Sequence, residues 1–166
     1  MIDKLCLTPF ALANVPPPMC LTSMLLNNSI VSFSLGTNGL LAVLVEDCQI
    51  FMYRYQPSKT KRTDPPLELW HATLSSMNNL RRIIPLSEET FSVIAYNEEQ
   101  DIDELAILGY ENETNSTTKA KSRIANSSIV DLAVTEGLDG VVSVDSDGVV
   151  TFGTKFLNRF IFDFFI

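Results

Sequence analysis

The feature that most constrains this chain is the stretch Leu40 to Tyr55, LLAVLVEDCQIFMYRY, which reads as two apolar strands, Leu40–Val45 and Gln49–Tyr55, broken at Glu46-Asp47-Cys48. Val, Leu, Ile, Phe and Tyr on both sides of a short polar interruption make a β-hairpin. Similar stretches recur: inner hairpin strands start near Leu40, Thr90 and Gly140, about 50 residues apart, a period that belongs to repeat arrays such as propeller blades. Helical periodicity is absent, so an all-α solenoid is not expected.

Each round supplies further strands. In the first, Ile30–Ser34 places Ile30 and Ser32 on one side and Val31 and Phe33 on the other, Gly36-Thr37-Asn38-Gly39 forms a turn, and Leu67–Leu74 follows a polar loop over Gln56–Pro66. The second runs Leu80–Leu86, a turn at Ser87-Glu88-Glu89, Thr90–Tyr96 and Glu104–Tyr110, then a polar loop Glu111–Ser122 and a weak fourth strand near Arg123–Asn126. The third opens at Ile129–Thr135, turns through 136–140, runs Val141–Val144, turns at Asp147-Gly148 and returns as Val149–Phe152. The expectation is an all-β fold, a partial WD-type propeller of about three blades of antiparallel strands over 20–155. Residues 1–19, with Pro16-Pro17-Pro18 lacking amide hydrogens, are expected to be an extended connector. The apolar tail over 156–166 lacks the earlier turn signals and is expected to be an atypical, non-homologous or truncated ending. Propellers close with about 4–8 blades, so three leave open flanks.

Composition narrows the function class. The 166 residues are 46% apolar and 19% charged, a globular balance, and 20 acidic against 12 basic residues give a net charge of −8. That charge opposes general attraction to phosphate backbones, DNA included, and favours basic protein partners. Cys6, Cys20 and Cys48 form no C-x-x-C pair, so neither a disulfide framework nor zinc is expected, and a reducing compartment is. The start MIDKLCLTPF lacks a signal-peptide pattern, and no run approaches the roughly 18 apolar residues that cross a bilayer, so no membrane role is expected. The sequons at Asn27, Asn112, Asn115 and Asn126 are then read as chance matches.

Candidate sites are few. His71, the single histidine, stands beside Trp70 in a strand-like segment without partners at catalytic or zinc spacing, so it is read as structural. Asp139, Asp145 and Asp147 lack the closing Glu of a calcium loop and are read as turn formers. Five carboxylates, Glu98, Glu99, Asp101, Asp103 and Glu104, repel one another and are read as a solvated loop, with docking of a basic partner as the alternative. Lys59, Lys61 and Arg62, and more loosely Lys119, Lys121 and Arg123, are the only basic concentrations and the candidate contacts for RNA. No G-x-S-x-G, P-loop, H-E-x-x-H or strand-linked G-x-G-x-x-G occurs, which lowers the expectation of an enzyme. No catalytic residue, metal or cofactor is expected.

Leu7–Met19, LTPFALANVPPPM, closely resembles the segment that introduces the second WD-repeat propeller in the largest subunit of the Elongator complex. The matching words are Thr8-Pro9 and Val15-Pro16-Pro17-Pro18-Met19, followed by NNSIVSFS and LAVLVEDCQIFMY. The family's chain is many times longer and continues into a helical region. The resemblance implies a scaffold: the family subunit organises a complex that modifies the wobble uridine of certain transfer RNAs, while another subunit performs the chemistry. Other Elongator subunits, and transfer RNA through the basic loops, are the implied partners, in the cytoplasm and also the nucleus. A generic propeller adaptor in trafficking or signalling is the alternative.

Overall fold

The computed structural model describes residues 3–7, 22–26, 28–36, 39–54, 66–75, 77–125, 127–135, 140–156 and 159–165. After a two-stranded antiparallel sheet of β1 (Asp3–Leu7) and β2 (Thr22–Leu26) come three four-stranded antiparallel meanders. The first is β3 (Ile30–Leu35), β4 (Leu40–Val45), β5 (Gln49–Arg54) and β6 (Leu67–Thr73). The second is β7 (Leu80–Pro85), β8 (Thr90–Asn97), β9 (Ile102–Glu111) and β10 (Ser116–Ile124). The third is β11 (Ile129–Thr135), β12 (Gly140–Asp145), β13 (Val150–Phe156) and β14 (Arg159–Phe165). The second strands β4, β8 and β12 begin at Leu40, Thr90 and Gly140, where the repeat period puts them. First strands pack on first strands, β3 on β7 and β7 on β11, so each meander is a blade with its first strand innermost: a partial β-propeller.

Four local expectations change. Within the expected connector, Asp3–Leu7 is a strand paired with Thr22–Leu26; the remainder, 8–21 with its proline run, lies outside the described residues. The expected loop 111–122 is a short turn followed by β10, whose Ser, Thr and Lys residues suit an outer edge strand better than a core one. The expected atypical ending contains β14, because RFIFDFF is rich in strand-favouring aromatics and pairs along β13 from Phe156↔Arg159 to Val150↔Phe165. Finally, Ile30 does not share a side with Ser32. The ladder slips by one residue at Val31, so Ile30 lies with Phe33 on the face of Val43 and Val45. The same slip recurs at Arg81 in β7 and Val130 in β11.

That bulge sets the packing. In β7 it brings Leu80 and Ile83 to one face, where they join Leu40, Leu44, Met52 and Trp70 of the first blade in the largest buried cluster. In β11 it brings Ile129, Leu132 and Val134 together against Ile84, Ile94, Leu105 and Ile107 of the second blade. Along β8 the odd residues Phe91, Val93 and Ala95 face backwards and Ile94 faces forwards. Each blade is thus apolar on both faces, unlike a sheet with one wet side, and burial of each aliphatic side chain contributes about 1.5–3 kcal/mol. The exposed ion pairs that also cross the seams, Arg54–Glu88 and Arg82–Asp131, are worth about 0–1 kcal/mol apiece. Apolar packing therefore holds the arc together.

Candidate interaction surface

A meander puts its first and third turns at one end of the sheet and its second turn at the other, together with the link to the next blade. In all three blades that second end is closed by the same main-chain bond, from a residue at or just past the end of the second strand to the one preceding the first. The pairs are Glu46 N to Ser29 O (2.9 Å), Tyr96 N to Asn79 O (3.0 Å) and Ser146 N to Ser128 O (2.9 Å). Leu74 N to Cys48 O and Ala125 N to Asp103 O tie in the links between blades. One rim therefore gathers Glu46–Cys48, 98–101 and 146–149 with the described link residues 74–75, 77–79, 125 and 127–128.

This rim is acidic. Glu46, Asp47, Glu98, Glu99, Asp101 and Asp147 are all exposed on it, and these turns and links contain no Lys or Arg. At the second blade the rim holds a cleft of about 330 Å³ lined by Met77, Asn79, Ala95, Tyr96, Glu98 and Glu104 among others. Its geometry is built by short polar side chains. Asn97 Oδ1 accepts from the amides of Glu99 (3.0 Å) and Gln100 (3.2 Å), closing the turn, and Asn79 Nδ2 donates to Glu98 Oε1 at 2.9 Å. Asn79 and Asp101 adopt left-handed backbone, φ 53° and 55°, which Asn and Asp tolerate. The Tyr96 hydroxyl donates to Asp101, a bond that raises its pKa, and the Arg81 guanidinium sits 5.5 Å from the Tyr96 ring centre. In the third blade Asp145 Oδ1 accepts from the amides of Asp147 (3.1 Å) and Val149 (2.8 Å), the turn-forming role expected of it; Asp139 lies outside the described residues.

Asp103 departs from the solvated loop expected for the acidic run. It is fully buried, accepts Arg81 Nη1 at 2.8 Å on Oδ1 and the Ile129 amide at 2.7 Å on Oδ2, and so pins the first strand of the third blade to the second. The signal was in the alternation: Asp103, Leu105 and Ile107 share one parity of β9 and hence one inward face. A second seam device is Glu88, whose carbonyl accepts Trp70 Nε1 at 2.6 Å while its carboxylate pairs with Arg54. Trp70 itself stacks on Tyr110 at 4.1 Å.

Among the basic candidates, Lys59, Lys61 and Arg62 lie outside the described residues, as do the matching words Thr8, Pro9, Val15, Pro16, Pro17, Pro18 and Met19. Lys119 and Lys121 stand on β10, whereas Arg123 reaches across to the Thr151 hydroxyl of the third blade and is a seam contact. Burial lowers its pKa, opposed by the nearby Asp145 charge. His71 is exposed, with Nδ1 2.8 Å from Glu68 Oε1 and its ring stacked on Phe51 at 5.5 Å. Asp131, its carboxyl held below the usual range by the Leu132 amide and then Arg82, lies on the inner strand. Among the described residues no three His, Cys, Asp or Glu side chains converge as metal ligands, and no helix is long and apolar enough to cross a membrane.

Solved structures of similar fold include a WD40 domain. Sqt1 of Saccharomyces cerevisiae matches with a TM-score of 0.51 at 10% identity, covering 82% of this chain and 34% of its own. A protein from Lactobacillus plantarum gives 0.52 at 11% identity, with 84% and 41% covered. The WD40 domain of SCAP from fission yeast gives 0.50 at 14% identity, with 83% and 32% covered. At such identities the likeness is one of fold, and the chain spans only about a third to two fifths of the length of these structures. No curated protein matches the sequence significantly. The protein-family profile described as ELP1 N-terminal second beta-propeller matches residues 2–158.

Proposed function

Because the chain belongs to the ELP1 N-terminal second beta-propeller family, we propose that it is a non-catalytic scaffold piece of Elongator that supports wobble-uridine modification of transfer RNA by docking other subunits. The observation that carries the reading is the acidic rim. Its six exposed carboxylates stand on turns fixed by repeated main-chain bonds, so they offer a preorganised negative surface to a basic partner. The buried side chains of the strands have no such freedom, since they are committed to the seams between blades. Transfer RNA is the second ligand considered, through Lys59, Lys61 and Arg62. The residues flanking that segment, Arg54 and Pro66, stand at the end of the first blade away from the acidic rim, so protein and RNA contacts would occupy opposite rims. The proposal sets this work in the cytoplasm and the nucleus.

The test is capture of Elongator subunits by the chain, alongside mass spectrometry of wobble uridines in bulk transfer RNA after depletion of the gene product and rescue. Wild type is expected to retain the other subunits, and a triple variant Glu98→Lys, Glu99→Lys, Asp101→Lys to lose them while remaining folded. Unchanged modification on depletion would reject the reading in favour of a generic adaptor. Charge reversal at Lys59, Lys61 and Arg62 should weaken and flatten the salt dependence of RNA binding if the second contact is real.

A further inference from the structure

The acidic rim has a cationic counterpart just inside it. The slip in β7 brings two consecutive arginines to the side that faces the third blade: Arg81 reaches Asp103 Oδ1 at 2.8 Å, and Arg82 reaches Asp131 Oδ1 of β11 at 2.9 Å. The slip itself does not call for charge, since the same two places hold Val31-Ser32 in β3 and Val130-Asp131 in β11. The two guanidiniums border a cavity of about 330 Å³, walled by Ile94, Asp103, Ile129 and Val130. This seam is interior to the arc, where β11 packs on β7.

Hydrogen-bond capacity points to what the cavity takes. A guanidinium carries five N–H donors, and among the described residues each of these two gives one to a carboxylate. Their partners are held differently. Asp103 is wholly buried and bonded also to the Ile129 amide, so Arg81 is fixed. Asp131 Oδ1 also accepts the amide of its neighbour Leu132 at 2.8 Å, so it keeps a donor when Arg82 turns away. Arg81, Arg82 and Asp103 then sum to one positive charge. A singly charged carboxylate balances that set, whereas a phosphate group, at about −1.5 to −2 near neutral pH, overshoots it.

Tyr96 joins this cavity to the rim: its ring centre lies 5.5 Å from the Arg81 guanidinium, and its hydroxyl donates to Asp101 in the acidic turn. The surface thus changes sign across one side chain, from two arginines to the exposed Glu98, Glu99 and Asp101. We propose that the arginine pair is a carboxylate-binding site for an Asp or Glu side chain of the protein partner, which presents that residue to Arg82 and basic residues to the turn. The proposal rests on the basic-partner reading of the rim and adds its anchor. An RNA strand does not fit, because its phosphates would have to pass the rim carboxylates to reach the arginines.

The test uses the purified chain and labelled synthetic peptides in which a Glu precedes a short run of Lys at varied spacing, read by fluorescence anisotropy at low salt. Each peptide has a control with Gln in place of Glu. At the best spacing the Glu peptide is expected to bind about tenfold tighter than its control, as one hydrogen bond to a charged group provides. Arg82→Ala should remove that preference and Asp131→Asn should enlarge it, both with wild-type circular dichroism and Trp70 fluorescence. Equal binding of Glu and Gln peptides overturns the carboxylate site; if that binding is lost in the triple variant Glu98→Lys, Glu99→Lys, Asp101→Lys, the rim reading still stands. No binding of any peptide overturns both. A preference for Glu that survives Arg82→Ala, or Arg82-dependent binding of a single-stranded RNA instead, also overturns the site.

Discussion

Replacement of Asp103 should loosen the seam between the second and third blades more than any exposed ion pair could. Asp103→Ala removes the acceptor of two bonds, from Arg81 at 2.8 Å and from the Ile129 amide at 2.7 Å. The bond to Arg81 counts for little, because that side chain is 53% exposed and regains water when released, leaving about 0–1 kcal/mol. The Ile129 amide has less access to water; losing a bond to a charged acceptor there costs about 1.5–3 kcal/mol. The sum for Asp103→Ala is about 2–4 kcal/mol. Asp103→Asn keeps the volume and one carbonyl acceptor but not the charge, so about 1–2 kcal/mol is expected. Arg81→Ala leaves a buried carboxylate with one remaining donor, the Ile129 amide, and is expected to fall between the two Asp103 variants. Urea unfolding followed by both circular dichroism and Trp70 fluorescence gives these values if the two probes coincide. Hydrogen exchange at the Ile129 amide locates the effect. A cost for Asp103→Ala below about 0.5 kcal/mol, with unchanged exchange at Ile129, would refute the clamp.

Trp70 is the single tryptophan, stacked on Tyr110 and bonded to the Glu88 carbonyl, so Trp70→Ala should cost about 3–5 kcal/mol and Trp70→Phe only about 1–2, measured in the same urea series. Tyr53 has its pKa pushed up to about 12, first by burial and then by the Glu68 charge beside it. A raised folded-state pKa means that its contribution is complete below the ordinary value of 10.0 and is lost as pH rises towards 12. Alkaline unfolding read by tyrosinate absorbance should therefore show a loss on the order of 2 kcal/mol across that window, absent in Tyr53→Phe. An equal loss in that variant would assign the effect elsewhere.

The strand pattern was readable because alternating apolar residues and Gly, Asn and Asp turns act locally, and the period of about 50 carried the blade count. β10 and β14 were hidden for opposite reasons. Ser116–Ile124 is too polar to announce a strand because only its ladder to β9 commits it, and Arg159–Phe165 is so uniformly apolar that no alternation marks its phase. The candidate surface was half legible. The acidic run stood out, but five adjacent charges looked alike, and only tertiary packing separates the buried Asp103 from the exposed Glu98, Glu99 and Asp101. Arg123 shows the same limit, since its partner Thr151 is 28 residues away in the next blade.

The one-residue slip in each innermost strand has a consequence for the gene. The slipped positions are occupied by Val31, Arg81 and Val130, each an extra residue without which its strand would alternate regularly. In-frame loss of the codon for Val130 would splice Ile129 directly onto Asp131 and leave Ile129 and Leu132 two residues apart, still on one side of the strand, with the slip gone. Single-codon deletions at 31 and 130 should therefore be tolerated better than deletions elsewhere in the same strands, where the residues on one side of the lost codon would change face, while codon 81 is held by the bond of Arg81 to Asp103.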